Sequence, residues 1–236
     1  MTKPFLEVKN IDSYYGESYI VQDVSFSMEK GQILALLGRN GAGKTSTLRS
    51  IARAAEPEVR SGEIWLDGQS MHDHAAHDAS RAGIQLVMED RRIIQGLTVE
   101  ENLQLAQVTE PLGWPLERIY DHFPRLRERR KQEGITLSGG EQQMLALGRA
   151  LARDIKVLLL DEPYEGLAPT IRHEIENIMF QIKDEGYTTI IVEQDAKAAL
   201  RLADRAVILD TGVVAYDGDA SELSENKELL EKYLAI

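Results

Sequence analysis

The chain runs to 236 residues, 43% of them hydrophobic, which suffices for one large or two small domains around a substantial core. Its formal charge of −12 weighs against a nucleic-acid surface, because such a surface displaces counterions with a basic face. There is no cysteine for a disulfide framework, the opening MTKPFLEVKN lacks the apolar core of a signal peptide, and no run approaches the ~18 apolar residues of a membrane span, so a membrane connection is expected only through a partner.

Apolar runs bounded by turn residues predict strands at 5–11, 23–28, 32–38, 62–68, 84–88, 157–161, 188–193, 205–210 and 212–218. Helical periodicity predicts helices at 43–53, 99–107, 141–153, 170–185 and 196–203. Buried strands alternating with helices indicate an α/β fold around a mainly parallel sheet. Strands at both ends, joined by short Gly turns, predict an antiparallel addition. Between Arg91 and Gly134 the strand pattern disappears, and Pro111, Pro115 and Pro124 divide the segment, so a helical insertion is expected there. The basic run RLRERRK (125–131) is expected to be a solvated helix face. The run HDHAAH (72–77) has no thiols or clustered carboxylates beside it and is expected to be an exposed loop or helix start.

The third predicted strand runs into GRNGAGKT, which fits GxxxxGK[ST] between a buried strand and a helix. Across Gly38, Arg39, Asn40, Gly41, Ala42 and Gly43 the backbone can curl so that successive N–H groups face phosphate oxygens, backed by the positive end of the following helix. Lys44 is expected to reach the β- and γ-phosphates and the Thr45 hydroxyl to bind Mg²⁺, with Ser46 joining the nucleotide-binding set. In VLLLDE, Asp161 and Glu162 close a strand at the carboxyl edge where ligands of open α/β sheets gather. Asp161 is expected to hold the hydrated Mg²⁺. Glu162, one residue on in an extended chain, faces the other way and is expected to polarise a water for attack on the γ-phosphate.

A second glycine-plus-helix unit, LSGGEQQ, begins about a hundred residues later. Ser138, Gly139 and Gly140 offer a hydroxyl, close backbone approach and a helix dipole. Read alone, Ser138 with Glu141 three residues on is also a helix-capping box.

In this order GRNGAGKT, LSGGEQQ and VLLLDEP resemble the three nucleotide motifs of the ABC-type ATPases, and the resemblance covers essentially the whole chain. It implies one ABC-type ATPase domain over 1–236, with a parallel core, an antiparallel β subdomain and a helical subdomain at about 91–153. It also implies that two subunits pair head to tail, so that Ser138, Gly139, Gly140 and Glu141 of one chain meet the ATP held by the other. Tyr15 falls where the family stacks an aromatic ring on adenine, and the segment EGLAP crosses the dimer interface with Ala168 in place of a common aspartate. Glu89 stands where many members have a glutamine that touches Mg²⁺ and the attacking water, and Gln194 replaces their γ-phosphate histidine. A carboxylate remains a hard donor for Mg²⁺, while a carboxamide donates a hydrogen bond but does not titrate near neutral pH.

The runs LSGGEQQMLALGRAL, DEPYEGLAP and VEQDAKAAL are similar to the ATP-binding subunits of bacterial branched-chain amino-acid importers, with urea and short-amide importers close by. That likeness implies a place at the cytoplasmic face of the inner membrane, beside a second ATPase subunit and two permeases, with a periplasmic solute-binding protein upstream. Segment 90–103, which includes Ile93 and Ile94, lies where the family docks its permease, and Thr98 with Glu101 also reads as a helix cap. The competing readings are a soluble ABC ATPase of ribosomes or DNA, which usually carries two ATPase units or basic extensions not seen here, and a regulatory ATP-sensing subunit.

Overall fold

The computed structural model describes residues 3–107 and 113–234, so the expectation placed on Pro111 lies outside the described residues. Along the chain come β1 (Leu6–Tyr15), β2 (Ser18–Met28), β3 (Ile33–Leu37), α1 (Lys44–Ile51), β4 (Glu58–Leu66), β5 (Gln69–Ser70), α2 (Ala76–Arg81) and β6 (Ile84–Val87). Four helices follow, α3 (Val99–Ala106), α4 (Leu116–His122), α5 (Pro124–Glu128) and α6 (Gly139–Leu151), with a 3₁₀ turn at Gly134–Thr136 before the last. The chain then returns to alternation through β7 (Val157–Asp161), α7 (Pro169–Asp184), β8 (Thr188–Val192), α8 (Ala196–Leu202), β9 (Arg205–Asp210) and β10 (Val213–Asp219), and closes with α9 (Ala220–Glu225) and α10 (Lys227–Leu234).

Two sheets form. One has the order β10-β9-β3-β8-β7-β6 and is parallel except where β10 returns against β9. The other, β2-β1-β4-β5, is antiparallel throughout. The expected α/β class with an antiparallel β part and a helical part is therefore what the chain adopts, but the two chain ends do not join in one addition. The amino-terminal strands make their own sheet, whereas β10 extends the edge of the core sheet.

The buried strands show why the core sheet is covered on both faces. Along β3, Ile33, Ala35 and Leu37 join one hydrophobic core while Leu34 and Leu36 join the other, the two-residue alternation of a strand. The first core lies against α6, α7 and α8 through residues such as Leu145, Leu147, Met179, Ile182 and Ala199. The second is closed by the antiparallel sheet and α1, through Val8, Phe26, Ile64, Leu48 and Ile51. All five residues of β3, β7 and β8 are buried, so these read as continuous apolar runs.

The helical insertion is built by local signals that the sequence carries openly. Pro115 precedes α4 and Pro124 opens α5, where a missing N–H costs nothing. Thr98 caps α3 in a complete capping box: its Oγ1 accepts from Glu101 N at 3.2 Å and Glu101 Oε2 accepts from Thr98 N at 2.8 Å. Residues 125–131 form a largely exposed face whose cations meet nearby acids, Arg127 with Glu117 and Asp121 and Lys131 with Glu100. The 72–77 stretch leads into α2, an exposed helix start, and no cluster of three or more His, Cys, Asp or Glu arranged for a metal occurs among the described residues.

Candidate functional site

Between β3 and α1 the chain makes the turn that the glycine pattern predicts. Gly38 has φ 145, and a Cβ there would run into the Leu209 carbonyl oxygen, so the position takes no side chain without moving β9. Gly43 is the N-cap of α1 at φ 99 and supplies no side-chain acceptor. The first-turn N–H groups of α1 thus have no capping oxygen of their own, unlike those of α3 and α6, which is the condition for holding an external anion.

An open cleft of about 440 Å³ lies over this helix end. The loop contributes Asn40, Gly41, Gly43, Lys44, Thr45 and Ser46 to its walls. The facing wall is Glu89 after β6, Glu162 after β7 and Gln194 after β8, with Tyr15 and Ile20 from the β1–β2 hairpin at another side. The Tyr15 hydroxyl accepts from Arg49 Nη1 at 3.2 Å, so the ring is held from α1. Lys44 is buried, and its Nζ donates to Gly38 O at 2.9 Å and Arg39 O at 3.1 Å. Burial lowers its pKa, against the opposing pull of the Glu162 and Asp161 charges. Ala42 is buried behind the loop, and the Arg39 side chain leaves the cleft altogether, donating from Nη2 to Lys232 O at 3.1 Å near the end of α10.

Asp161, also buried, accepts from the Thr45 hydroxyl at 3.0 Å. Burial raises its pKa, the Thr45 bond works against this, and the Glu162 and Glu89 charges add to it. The Thr45–Asp161 oxygen pair with Glu89 close by is a hard-donor set. Mg²⁺ keeps most of its waters and phosphate oxygens and needs only one or two protein oxygens, so the set fits that ion.

The direction of Glu162 has a different cause from the expected one. The strand ends at Asp161, and Glu162 sits in the left-handed region at φ 50, its N–H donating to Val192 O at 3.0 Å. The kink, not β alternation, turns its carboxylate into the cleft, and a non-glycine residue held there is strain of the kind found at active sites. Gln194 Nε2 donates to Glu162 Oε2 at 2.7 Å and, more distantly, to Glu165 Oε2 at 3.4 Å.

Glu165 is the ionisable wall residue that sequence reasoning missed, along with apolar Ile20. A turn closed by Glu165 N to Glu162 O at 3.1 Å brings the two carboxyls to the same side. The hydrogen bond with Glu162 first, then burial and the charges of Glu162, Glu89 and Asp161, push the Glu165 carboxyl up to about 7. Beneath the turn, buried Glu193 accepts from Tyr164 N at 2.9 Å and is itself pushed up to about 7, chiefly by burial.

Ser138, Gly139, Gly140 and Glu141 are not among the walls of this cleft. Ser138 caps α6 in a closed capping box: Oγ accepts from Glu141 N at 3.4 Å, while Glu141 Oε2 accepts from Ser138 N at 3.0 Å and Oγ at 2.8 Å. Burial alone would raise Glu141, but these bonds and Arg129 Nε, 2.8 Å from Oε1, hold its pKa below the ordinary value. A Cβ on Gly140 would come within 2.5 Å of Ile171 Cγ2, so α6 starts flush against α7, and a Cβ on Gly139 would meet Arg91 Nη1 at 3.1 Å. Away from the cleft, a groove of about 270 Å³ runs between β6, α3 and α6, walled in part by Met88, Arg92, Leu105, Ala146 and Arg149. Ile93, by contrast, packs into the helical core.

Residues 21–165 match the family model described as ABC transporter. The chain is 40% identical over 232 residues to the high-affinity branched-chain amino acid transport ATP-binding protein BraG of Pseudomonas aeruginosa, covering 97% of this chain and 99% of that one. It is 36% identical to the probable branched-chain amino acid transport ATP-binding protein LivF of Archaeoglobus fulgidus, covering 98% of this chain and 99% of that one. A solved ATP-binding subunit of an ABC transporter superposes with a TM-score of 0.83 at 28% identity over 95% of this chain and 94% of that one.

Proposed function

Because the chain belongs to the ABC transporter ATP-binding family, an ATP-hydrolysing family, we propose that it drives a bacterial importer of branched-chain amino acids or related small solutes. The observation that carries this reading is the cleft itself, where the uncapped start of α1 and Lys44 face Glu162 and Gln194 while Ser138 lies elsewhere on the surface. A monomer so arranged holds a nucleotide from one side only. Ser138, Gly139, Gly140 and Glu141 of a second copy, or of a sister ATPase, supply the other side.

In this reading the adenine stacks on Tyr15, and the loop from Gly38 to Gly43 with Lys44 and Ser46 holds the phosphates. Thr45, Asp161 and Glu89 hold Mg²⁺, which offsets the negative charge of the phosphates when bound. Glu162 polarises the attacking water and accepts its proton, and Gln194 fixes that carboxylate through the 2.7 Å bond. At the second copy's α6, the Ser138 hydroxyl turns from Glu141 to the γ-phosphate, and the helix dipole favours the exchange. Loss of the γ-phosphate breaks the bridge, so the closed pair binds ATP better than the open one and separates after hydrolysis.

No helix among the described residues is long and apolar enough to cross a membrane. In this reading permeases provide the attachment, at the cytoplasmic face of the inner membrane, with a periplasmic solute-binding protein supplying the solute. The groove beside α3 in the helical part, about 91–153 of a single domain, receives the permease, offering exposed Arg92 and Leu105 beside Met88 and Ala146. The test is the Glu162→Gln protein with ATP. Its turnover should fall by roughly two to four orders of magnitude, and it should form a two-copy particle with each Ser138 beside the other copy's γ-phosphate. A trapped particle with Ser138 remote from that phosphate rejects the arrangement.

A further inference from the structure

Gln194 presents one carboxamide NH₂ to two carboxylates. Its Nε2 donates to Glu162 Oε2 at 2.7 Å and to Glu165 Oε2 at 3.4 Å, and it carries a hydrogen for each. Such a group has two donor hydrogens about 120° apart, and with each directed at a carboxylate the carbonyl oxygen must point away from both. Flipping the amide would set its oxygen against two carboxyl oxygens and lose both contacts.

Glu165 is where it is for a local reason. The Glu162–Glu165 turn, closed at 3.1 Å, places it beside Glu162, and the bond from Tyr164 N to buried Glu193 pins the middle of that turn to the end of β8. Gln194 follows Glu193 directly, so the segment that anchors the turn also carries the amide that bridges its two ends. Glu165 and Gln194 are exposed, and neither contributes to the hydrophobic cores. An exposed carboxylate set beside another carboxylate, in a cleft that Glu89 also lines, has no packing role to explain it.

We propose that Glu165 is a positioning residue for ATP hydrolysis: by holding the second amide hydrogen of Gln194 it keeps the first on Glu162 and fixes the orientation of the carboxylate that polarises the water. The inference rests on the role given to Glu162 above. Pre-orientation matters here because a reacting group displaced by an ångström loses rate steeply. Glu165 touches neither water nor phosphate in this scheme; it acts on Glu162 through Gln194 and through its own hydrogen bond with Glu162.

Steady-state ATPase of the full chain, alone and in its permease complex, tests this with Glu165→Ala, Glu165→Gln, Gln194→Ala and the Glu165→Ala/Gln194→Ala double variant, alongside Glu162→Gln. Loss of one hydrogen bond in the positioning chain should lower kcat of Glu165→Ala about ten-fold, with KM for ATP changed less than about two-fold. Glu165→Gln keeps an acceptor oxygen and should stay within about three-fold of wild type. The double variant should lose less than the product of the two single losses, because both residues orient the same carboxylate and their effects are not additive. An unchanged kcat in Glu165→Ala, multiplying losses in the double variant, or a Glu165→Gln as slow as the alanine overturns the proposal. If Glu162→Gln is slow while Glu165→Ala is not, only this inference fails. If Glu162→Gln turns over normally, the underlying reading fails with it.

Discussion

Replacing Glu193 by Gln should make the protein more stable at neutral pH, by an amount the structure sets. Glu193 is 4% exposed, directly after β8, and its Oε1 accepts the Tyr164 N–H at 2.9 Å. Burial pushes its carboxyl from an ordinary 4.5 up to about 7; the Glu162 charge adds to this, while the Tyr164 bond and Arg172 oppose it. Below pH 4.5 the folded and unfolded chains both hold the proton, and the group has no pH-linked effect. Between 4.5 and about 7 the unfolded chain releases it while the folded chain retains it, so stability falls as pH rises through that window and levels off above it. At ~1.4 kcal/mol per pH unit the gap is worth about 3 kcal/mol. Glutamine accepts the same Tyr164 N–H through its carbonyl oxygen and cannot ionise. Urea or thermal unfolding of both proteins from pH 4.5 to 8 should therefore show curves that coincide at the acid end. They should diverge to about 3 kcal/mol in favour of Glu193→Gln near pH 8, or roughly 6–12 °C in Tm for a chain of this size. A difference that does not change with pH, or a wild type more stable at pH 8, refutes the reasoning.

Gln194→His places an imidazole with pKa about 6.5 against Glu162 and should add an inflection near that pH to the kcat profile; an unchanged rate and profile removes Gln194 from the site. Gly140→Ala inserts a Cβ within 2.5 Å of Ile171 Cγ2 and should cost about 1–3 kcal/mol in unfolding experiments, recovered in part by pairing it with Ile171→Ala; a neutral Gly140→Ala means the α6–α7 contact is looser than the geometry states. For permease docking, Ile93 is a poor probe because it packs into the helical core, whereas Arg92 and Leu105 are exposed on the groove. Arg92→Glu with Leu105→Asp should abolish co-purification of the permeases and leave ATPase of the isolated chain within about two-fold, since neither lines the nucleotide cleft. Retained co-purification places the docking surface elsewhere.

The parts legible in the sequence are those that a contiguous run encodes. The buried strands β3, β7 and β8, the glycine-rich turn before α1 and both capping boxes are local patterns, and each lies where its residues say. Glu165 escaped because a carboxylate three residues beyond Glu162 acquires meaning only when the turn closes and Gln194 arrives from the neighbouring strand. The direction of Glu162 escaped for a related reason: a positive φ supported by the Val192 carbonyl is a tertiary fact. The strands β1, β2 and β4 run longer than their apolar stretches because polar contacts finish them. Asp12, for instance, gathers the hydroxyls of Tyr19 and Ser61 and the N–H of Asp23. The helices α9 and α10 were missed since they bury few residues, Ala220, Leu223 and Leu230, although Asp219, which accepts from Ser221 N at 2.7 Å, was a readable start signal.

The strand that leads into the phosphate loop answers to two masters. Because odd and even residues of β3 are sunk in separate hydrophobic interiors, neither interior can slacken without tugging on the same five-residue ribbon. Whatever loosens the amino-terminal sheet, and whatever shifts the helices opposite, is felt at Gly38, where that ribbon stops and the glycine-rich loop starts. A nucleotide held as proposed above would sit at the common edge of both halves of the molecule, well placed to register a disturbance in either.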